Sequence, residues 1–273
     1  MPIGIAVFGG LGVLAFCGMG LIAQNWKGVL IGLGLAGVLV LLLSGFASAQ
    51  VEATWERRVQ VEPTEVSGPV PAVLFVHGCS GLHPNGPDTK AWVQTIIQAG
   101  WRFVALDSYG RQGRQNICPP TDRGAVRFRW PTKEEAIATR AMRWEEIAYG
   151  MARLQKDPTV DHTKILIFGH SEGGVAVAGT DPHGARALII SGWMCHSRFP
   201  EGIGITAPLT VPVLALEFST DPTIGQFNQG RCSDFFVGRP GSREVILSGS
   251  GHAMGQEAAA RDAVVDFLGS LKP

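Results

Sequence analysis

The chain has 273 residues and carries 23 basic and 23 acidic side chains, so its formal net charge at pH 7 is zero. This balance gives no overall field that would favour nucleic acid or an anionic surface as a partner, and we expect neither. No internal repeat or tandem motif is present. The residues after position 50 suffice for one domain with a substantial core.

Residues 1–50 form a hydrophobic leader. Two apolar stretches, Pro2–Ala23 and Val29–Phe46, are each about long enough to cross the hydrocarbon layer of a membrane as a helix. The second stretch runs into Ala-Ser-Ala-Gln at 47–50, a pattern typical of signal-peptidase cleavage after Ala49. Two interpretations stay open, a cleaved signal peptide that begins near Met19 and a retained transmembrane hairpin.

Both interpretations predict the same side of the membrane for the rest of the chain. Lys27 is the only charged side chain before Glu52, and the positive-inside rule places it in the cytoplasm. Residues 51–273 would then be an exported catalytic domain, periplasmic or extracellular. Its only contact with a membrane would be through residues 1–46, if they are retained.

After the leader, apolar strand patterns alternate with helical patterns. Val51–Glu65 alternates weakly and predicts an edge strand or hairpin. The expected buried strands are Ala72–Val76, Arg102–Leu106, Ile165–Phe168, Ala187–Ser191, Val213–Phe218 and Val245–Ser248. The expected helices are Asp88–Ala99, Lys133–Lys156, a short one after Ser171, and Gln256–Leu271 with Val264, Val265 and Leu268 facing inward. This order predicts an α/β fold with a mostly parallel central sheet covered by helices on both faces.

The strand Ile165–Phe168 runs into Gly169-His170-Ser171-Glu172-Gly173 and then into a segment of small residues. A strand, a sharp turn and a helix around G-x-S-x-G are typical of the nucleophile elbow of a serine hydrolase. The turn holds the serine hydroxyl outward, so the residues two before and two after it must be small. The pattern alone also fits a glycine-rich turn with an incidental serine, and its position between strand and helix favours Ser171 as a nucleophile.

The other members of a catalytic triad should follow strands in the order serine, acid, histidine. Val213–Phe218 leads to Asp221, and the strand at 245–248 leads to His252. We expect His252 to act as general base and then acid, and Asp221 to orient its imidazole. Glu217 is the second choice for the acid. In an oxyanion hole, the backbone N–H groups of Glu172 and Cys79 would be the donors.

Taken together, the segment PAVLFVHGCSGL at 71–82, the elbow, Asp221 and His252 resemble the α/β-hydrolase superfamily, and within it the dienelactone hydrolase-like family. The resemblance spans 71–271 and implies the α/β-hydrolase fold and hydrolysis of carboxylic esters through an acyl-enzyme. Dienelactone hydrolases proper use a cysteine nucleophile where this chain has Ser171, which favours a general ester as the small-molecule substrate.

Two other functional classes stay open at this point. A peptidase or amidase on the same fold would use the same triad, and a catalytically silent exported binding protein would retain the fold without the reaction. The sequence has no metal-ligand spacing among its cysteines and no phosphate-binding loop. The implied reaction needs no metal or cofactor, and we expect a monomer.

The segment between Arg111 and Pro131 is rich in arginine, and we consider Arg111 and Arg114 as substrate-binding residues for anionic esters, together with Arg123, Arg127 and Arg129. Solvated loop charge explains these residues as well. Trp193 lies near the expected pocket, where ordinary core packing is the competing interpretation.

Four of the five cysteines follow the leader: Cys79, Cys118, Cys195 and Cys232. An even number in an exported domain indicates disulfides. Cys79 and Cys118 lie on loops after two consecutive strands, as do Cys195 and Cys232, and consecutive strands are usually close in space. We therefore predict the pairs Cys79–Cys118 and Cys195–Cys232, with four buried thiols as the alternative.

Overall fold

The structure is a computed structural model, and it describes residues 48–65, 67–114, 118, 131–197, 204–223 and 230–271. Residues 1–47 of the hydrophobic leader predicted at 1–50 lie outside the described residues, as do Arg123, Arg127 and Arg129. Within the described part of the chain, no helix is both long enough and apolar enough to span a membrane. A compact unit begins at Gln50 and contains everything described below.

Seven strands form one sheet. They are β1 (Val59–Val61), β2 (Val70–Val76), β3 (Arg102–Leu106), β4 (Val160–His170), β5 (Ala187–Ser191), β6 (Val213–Thr220) and β7 (Arg243–Ser250). Their spatial order is β1-β3-β2-β4-β5-β6-β7, with β1 antiparallel to β3 and all other pairs parallel. The mostly parallel sheet predicted from the sequence is present.

Among the described residues, four helices cover the sheet, α1 (Pro87–Gln98), α2 (Lys133–Leu154), α3 (Glu172–Gly179) and α4 (Ala258–Ser270), and a further helical segment at 50–56 precedes β1. The alternation of side chains along β4 shows why both faces need cover. Ile165 and Ile167 belong to the apolar cluster that includes residues of α2 and α3, whereas Leu166 and Phe168 belong to the cluster that includes residues of α1 and α4. A strand buried on both faces reads as the continuous apolar run seen in the sequence.

The prediction of an edge strand or hairpin across Val51–Glu65 is wrong for its first half. Residues 50–56 are helical, and only Val59–Val61 pair with the sheet. Val51 and Trp55 are both buried, at 8% and 6% exposure, and their four-residue separation places them on one helix face. In α4, Val264 and Leu268 are fully buried as expected, but Val265 is 43% exposed and does not face inward.

Candidate active site

Ser171 lies at the junction of β4 and α3, on a backbone that side chains rarely adopt. Its φ is 56° and its ψ is −118°, a positive φ at a residue with a Cβ. The Ser171 N–H donates to the carbonyl of Ser191 on β5 over 2.8 Å, which ties the turn to the neighbouring strand. This is the sharp, strained turn that the G-x-S-x-G pattern predicts.

The flanking glycines are required by close backbone contacts. A Cβ on Gly169 would lie 2.2 Å from the Gly173 carbonyl oxygen, and a Cβ on Gly173 would lie 1.9 Å from the carbonyl oxygen of Val76. Both distances are far below van der Waals contact. Residues without side chains at these two positions therefore let the chain turn sharply enough to project the Ser171 hydroxyl.

The structure brings together the three residues expected to form a triad. The Ser171 hydroxyl oxygen lies 2.8 Å from Nε2 of His252, and Nδ1 of His252 lies 2.7 Å from Oδ2 of Asp221. Asp221 is 4% exposed, and its other oxygen accepts the Thr223 N–H over 2.8 Å. In the tautomer that fits these contacts, Nδ1–H donates to Asp221 and Nε2 is free to accept the serine proton.

Glu217, the alternative acid, is placed differently. It lies on β6 with 2% exposure, and its carboxyl group approaches that of Glu244 within a cluster whose atoms are all within 4.8 Å of one another. Burial, followed by repulsion from Glu244, raises the pKa of Glu217 to about 8. The third member of that cluster, Cys232, is bonded to Cys195, which removes its thiolate as a metal ligand.

The loop after β2 lies against the nucleophile. A Cβ on Gly78 would lie 3.1 Å from Cβ of Ser171, so the backbone of this loop reaches the serine. Gly78, Cys79, Ser171 and His252 share the wall of a cleft of about 430 Å³. The backbone N–H groups of Cys79 and Glu172, which the sequence suggests as oxyanion donors, belong to the two segments that meet here.

The cleft extends from Ser171 towards the N-terminal end of α1 and the Cys79–Cys118 disulfide, and Phe75, His83, Asp88, Thr89 and Gln256 also line it. Asp88 on α1 accepts the Gly255 N–H over 2.5 Å and thereby ties the loop that carries His252 to α1. Burial raises the pKa of the Asp88 carboxyl, and the Gly255 hydrogen bond partly opposes that shift.

A second histidine, His170, also lines the cleft next to the proposed base. Its ring centroid lies 5.1 Å from that of His252, and its Nδ1 lies 3.2 Å from the Ser191 hydroxyl oxygen. Burial, with a smaller contribution from the charge on His252, lowers the pKa of His170 to about 3. His170 is therefore neutral at neutral pH.

Arg111 and Arg114, expected as substrate-binding residues, are held by carboxylates of the chain itself. Arg111 contacts Glu145 at 2.9 Å and Glu146 at 3.8 Å, both on α2. The side chain of Arg114 is 1% exposed, and it forms an ion pair with Glu172 and donates to the Ser108 hydroxyl. These contacts do not support a direct role in substrate binding. Trp193, also proposed for the pocket, is packed in the core on the α3 side of the sheet.

Sequence reasoning missed a buried polar cluster that contacts the loop after β2. Arg143 on α2 is 1% exposed, donates to the His77 carbonyl and lies 3.6 Å from Glu146. Glu146 accepts the Ser108 hydroxyl over 3.0 Å, and the Arg143 Nε lies 4.0 Å from Glu172. The charges of the arginines and glutamates in this cluster compensate one another, as buried charges must. The side chain that follows the nucleophile is thereby fixed.

Both predicted disulfides are present. Cys79 and Cys118 are bonded with a Cα–Cα distance of 5.5 Å, and Cys195 and Cys232 with 4.8 Å. The prediction from strand order is confirmed. Disulfides are typical of proteins that reside in oxidising compartments.

The chain resembles proteins of known structure in its fold, but its sequence has no match among protein families or curated proteins. A protein assigned as a dienelactone hydrolase from Klebsiella pneumoniae has a TM-score of 0.56 at 19% identity, over 78% of this chain and 91% of that chain.

Two esterase structures are similar to the same extent. Est1E from Butyrivibrio proteoclasticus, solved with bound ferulic acid, has a TM-score of 0.56 at 16% identity, over 79% of this chain and 94% of that chain. A glucuronoyl esterase from Solibacter usitatus has a TM-score of 0.54 at 15% identity, over 79% and 77%. At such identities the likeness concerns the fold. The described part of this chain thus has the α/β-hydrolase fold found in dienelactone hydrolases and esterases.

Proposed function

We propose that this protein is a serine hydrolase that cleaves carboxylic esters through an acyl-enzyme. The observation that carries the proposal is the continuous hydrogen-bonded chain from the strained Ser171 through His252 to the buried Asp221. Nucleophile, base and orienting acid are each within hydrogen-bonding distance of the next, and they come from the ends of three different strands. The fold shared with known esterases adds support.

In the proposed reaction, the Ser171 oxygen attacks the ester carbonyl carbon while its proton passes to Nε2 of His252. The carbonyl oxygen becomes an oxyanion that accepts hydrogen bonds from the N–H groups of Cys79 and Glu172. The intermediate collapses, the C–O bond to the alcohol breaks, and His252 returns the proton to the departing alkoxide. Water then attacks the acyl-enzyme with His252 again as base, which releases the acid and restores Ser171.

Asp221 has a supporting role in both halves of this reaction. Its hydrogen bond to Nδ1 of His252 fixes the tautomer and stabilises the imidazolium that forms after each proton transfer. Because Asp221 is buried, water does not weaken this interaction as it would at the surface.

The test is ester turnover and covalent labelling of the purified protein. We expect hydrolysis of p-nitrophenyl esters and labelling by a fluorophosphonate probe, both reduced by at least about 10³-fold in Ser171→Ala and in His252→Ala. Ser67→Ala, which changes an exposed serine on the loop before β2, is the matched control and should retain activity. A folded parent that neither turns over esters nor accepts the probe would refute the proposal and favour a binding protein.

A panel of matched esters and amides separates this function from a peptidase or amidase. We expect esters to be the preferred substrates. Higher kcat/KM on the amides would overturn the ester assignment while leaving the nucleophile in place.

We also propose that the domain acts outside the cytoplasm. Two disulfides in one domain and the leader pattern at 1–50 both support this location. Fractionation of cells that express the full chain, followed by thiol labelling with and without reductant, tests it. A cytoplasmic domain with four free thiols would contradict it.

A further inference from the structure

Two carbonyl groups of the loop after β2 accept hydrogen bonds from two stacked rings, those of His77 and Tyr109. Nδ1 of His77 lies 2.7 Å from the Gly78 carbonyl oxygen, and the Tyr109 hydroxyl lies 2.5 Å from the Cys79 carbonyl oxygen. The rings of His77 and Tyr109 stack with centroids 5.8 Å apart and planes at 19°. The two successive peptide groups that follow Gly78 and Cys79 are therefore each hydrogen-bonded to one ring of the His77–Tyr109 pair.

The first of these contacts determines the direction of a catalytic group. The Gly78 carbonyl and the Cys79 N–H belong to the same planar trans peptide, so they point in opposite directions. A hydrogen bond from His77 to the carbonyl thus directs the Cys79 N–H away from His77. The second contact fixes the next peptide and limits rotation about the Cys79 Cα, where the two planes join.

His77 can donate only if its proton is on Nδ1, and its surroundings enforce that state. The Ser108 N–H donates to Nε2 of His77 over 3.0 Å, and Arg143 places a guanidinium nitrogen 3.4 Å from the same atom. Nε2 is therefore an acceptor, which leaves the proton on Nδ1. Burial, followed by the charge of Arg143, lowers the pKa of His77 well below its ordinary value and keeps the ring neutral.

Contacts with its backbone and with its ring also restrict the position of Tyr109. Its backbone N–H donates to Asp107 over 3.0 Å at the start of the turn Ser108–Gly110. Arg114 lies over its ring at 5.1 Å, and a Cβ on Gly81 would lie 3.1 Å from the ring on another side. The phenol has few alternative positions, so its hydrogen bond to Cys79 costs little conformational entropy on forming.

We propose that the His77–Tyr109 pair is a positioning device that sets the Cys79 N–H for oxyanion binding, with Tyr109 as a positioning residue for the hydrolysis. The inference rests on the ester hydrolysis proposed above. Tyr109 does not line the cleft and acts through the Cys79 backbone. Its contribution should appear in the transition state and not in the binding of the ground-state ester.

The chain offers a matched control, because it contains two tyrosines. Tyr149 is partly buried on α2, where it packs against the core. Tyr109→Phe and Tyr149→Phe each remove one hydroxyl, and only the first removes a hydrogen bond to the proposed oxyanion loop. Both variants are compared with the parent full-length chain.

We expect Tyr109→Phe to lower kcat by about 5- to 20-fold with KM within about 2-fold of the parent value, while Tyr149→Phe stays within about 2-fold in both. The inhibition constant of a trifluoromethyl ketone, whose adduct with Ser171 carries an oxyanion, should rise by the same factor as kcat falls. A ground-state analogue, the matching methylene ether, should bind all three proteins equally. If Tyr109 only supported the fold, its substitution would not lower kcat and weaken trifluoromethyl ketone binding by the same factor.

Three outcomes separate the possibilities. An active parent whose Tyr109→Phe variant keeps its kcat and its affinity for the trifluoromethyl ketone overturns the positioning role alone. An active parent whose Tyr109→Phe variant has a raised KM and an unchanged kcat also overturns the positioning role. A parent with no ester turnover and no labelling refutes the proposed function itself. Melting curves accompany each variant, and a destabilised variant is measured well below its own Tm so that loss of fold does not enter kcat.

Discussion

Ser171 must carry a side chain on a backbone that normally requires glycine. Its φ of 56° costs on the order of 1–3 kcal/mol relative to an ordinary conformation. The surrounding contacts compensate for this strain, because the Ser171 N–H is bonded to β5 and the Ser171 carbonyl accepts the Val175 N–H in the first turn of α3. The strained residue is thus held by a strand on one side and a helix on the other.

A different residue-level conflict involves the buried carboxyl pair Glu217–Glu244, which joins β6 to β7. The pKa of Glu217 is raised from its ordinary 4.5 to about 8 by burial and by Glu244. The folded state therefore binds more protons than the unfolded state between these two pH values. Stability is highest below about pH 4.5, as far as this group is concerned, and falls as the pH rises towards 8.

We expect Glu217→Gln to remove this loss of stability at rising pH, because glutamine resembles the protonated carboxyl and stays uncharged. The unfolding free energy of the parent should fall relative to that of the variant by on the order of 1–3 kcal/mol between about pH 5 and pH 8. Urea denaturation at several pH values measures the difference. Glu56→Gln at an exposed position is the control for the substitution itself. A constant difference for Glu217→Gln would contradict the raised pKa.

At the residue scale, the sequence identifies candidate catalytic residues where they directly follow a predicted strand. Ser171 and His252 stood out because each follows a strand and fits a motif. The acid was ambiguous, because Asp221 and Glu217 belong to one strand and the turn after it. The ion pairs of Arg111 and Arg114 do not follow from the sequence, because their partners Glu145, Glu146 and Glu172 are distant along the chain. Nothing in a local pattern shows which charges will meet.

Among the elements, the β4–α3 unit determines how closely Ser171 approaches the loop after β2. Its glycines allow the backbone of β2 and the start of α3 to approach each other. A Cβ on Gly173 would lie 1.9 Å from the Val76 carbonyl oxygen and 2.8 Å from that of His77. Because both neighbours are backbone atoms within the sheet and the oxyanion loop, neither can rotate away.

We predict that Gly173→Ala lowers the unfolding free energy by about 2 kcal/mol or more and reduces kcat, since α3 must move away from β2 to make room. Gly269→Ala in α4 is a matched control with nothing within 4 Å of the added Cβ. There, alanine should be neutral or stabilising by up to about 1 kcal/mol, because it favours the helix. Chemical denaturation and ester turnover test both variants. Equal stabilities for the two would refute the close-approach explanation.

The strands and helices themselves were largely predictable from periodicity. Arg102–Leu106 and Ala187–Ser191 were predicted with the bounds that the structure has, because short apolar runs between turns leave little choice. The segment at 50–56 was not, since a few apolar residues can match either a two-residue or a four-residue repeat. Val265 was misplaced because adjacent valines on a helix cannot both face the sheet.

For the molecule as a whole, the two disulfides offer an internally matched comparison. They close loops of nearly equal length, with sequence separations of 39 and 37 residues. The loop-closure contribution to stability should therefore be nearly the same for both. They differ in place, because Cys79 carries the proposed oxyanion donor and lines the cleft, whereas Cys195 and Cys232 lie in the core cluster on the α3 side of the sheet.

We expect the double variants Cys79→Ser/Cys118→Ser and Cys195→Ser/Cys232→Ser to lose similar stability, roughly 2–4 kcal/mol each. Only the first should also lose kcat, by about 5-fold or more, at temperatures where both remain folded. Thermal melting and ester turnover at matched fractions folded provide the comparison. An equal kcat in the two variants would show that the first disulfide has no part in setting the site.

The order of strands has a further consequence for how activity can be lost. His252 follows β7, which is the outermost strand at its end of the described sheet, while Ser171 follows the central β4. Edge strands have one neighbour to hold them, and opening there costs less than opening the interior. Ser171 and His252 therefore depend on regions of unequal local stability. Fraying of β7 would displace His252 while most of the sheet stays intact, so the proposed activity would be lost before the core unfolds.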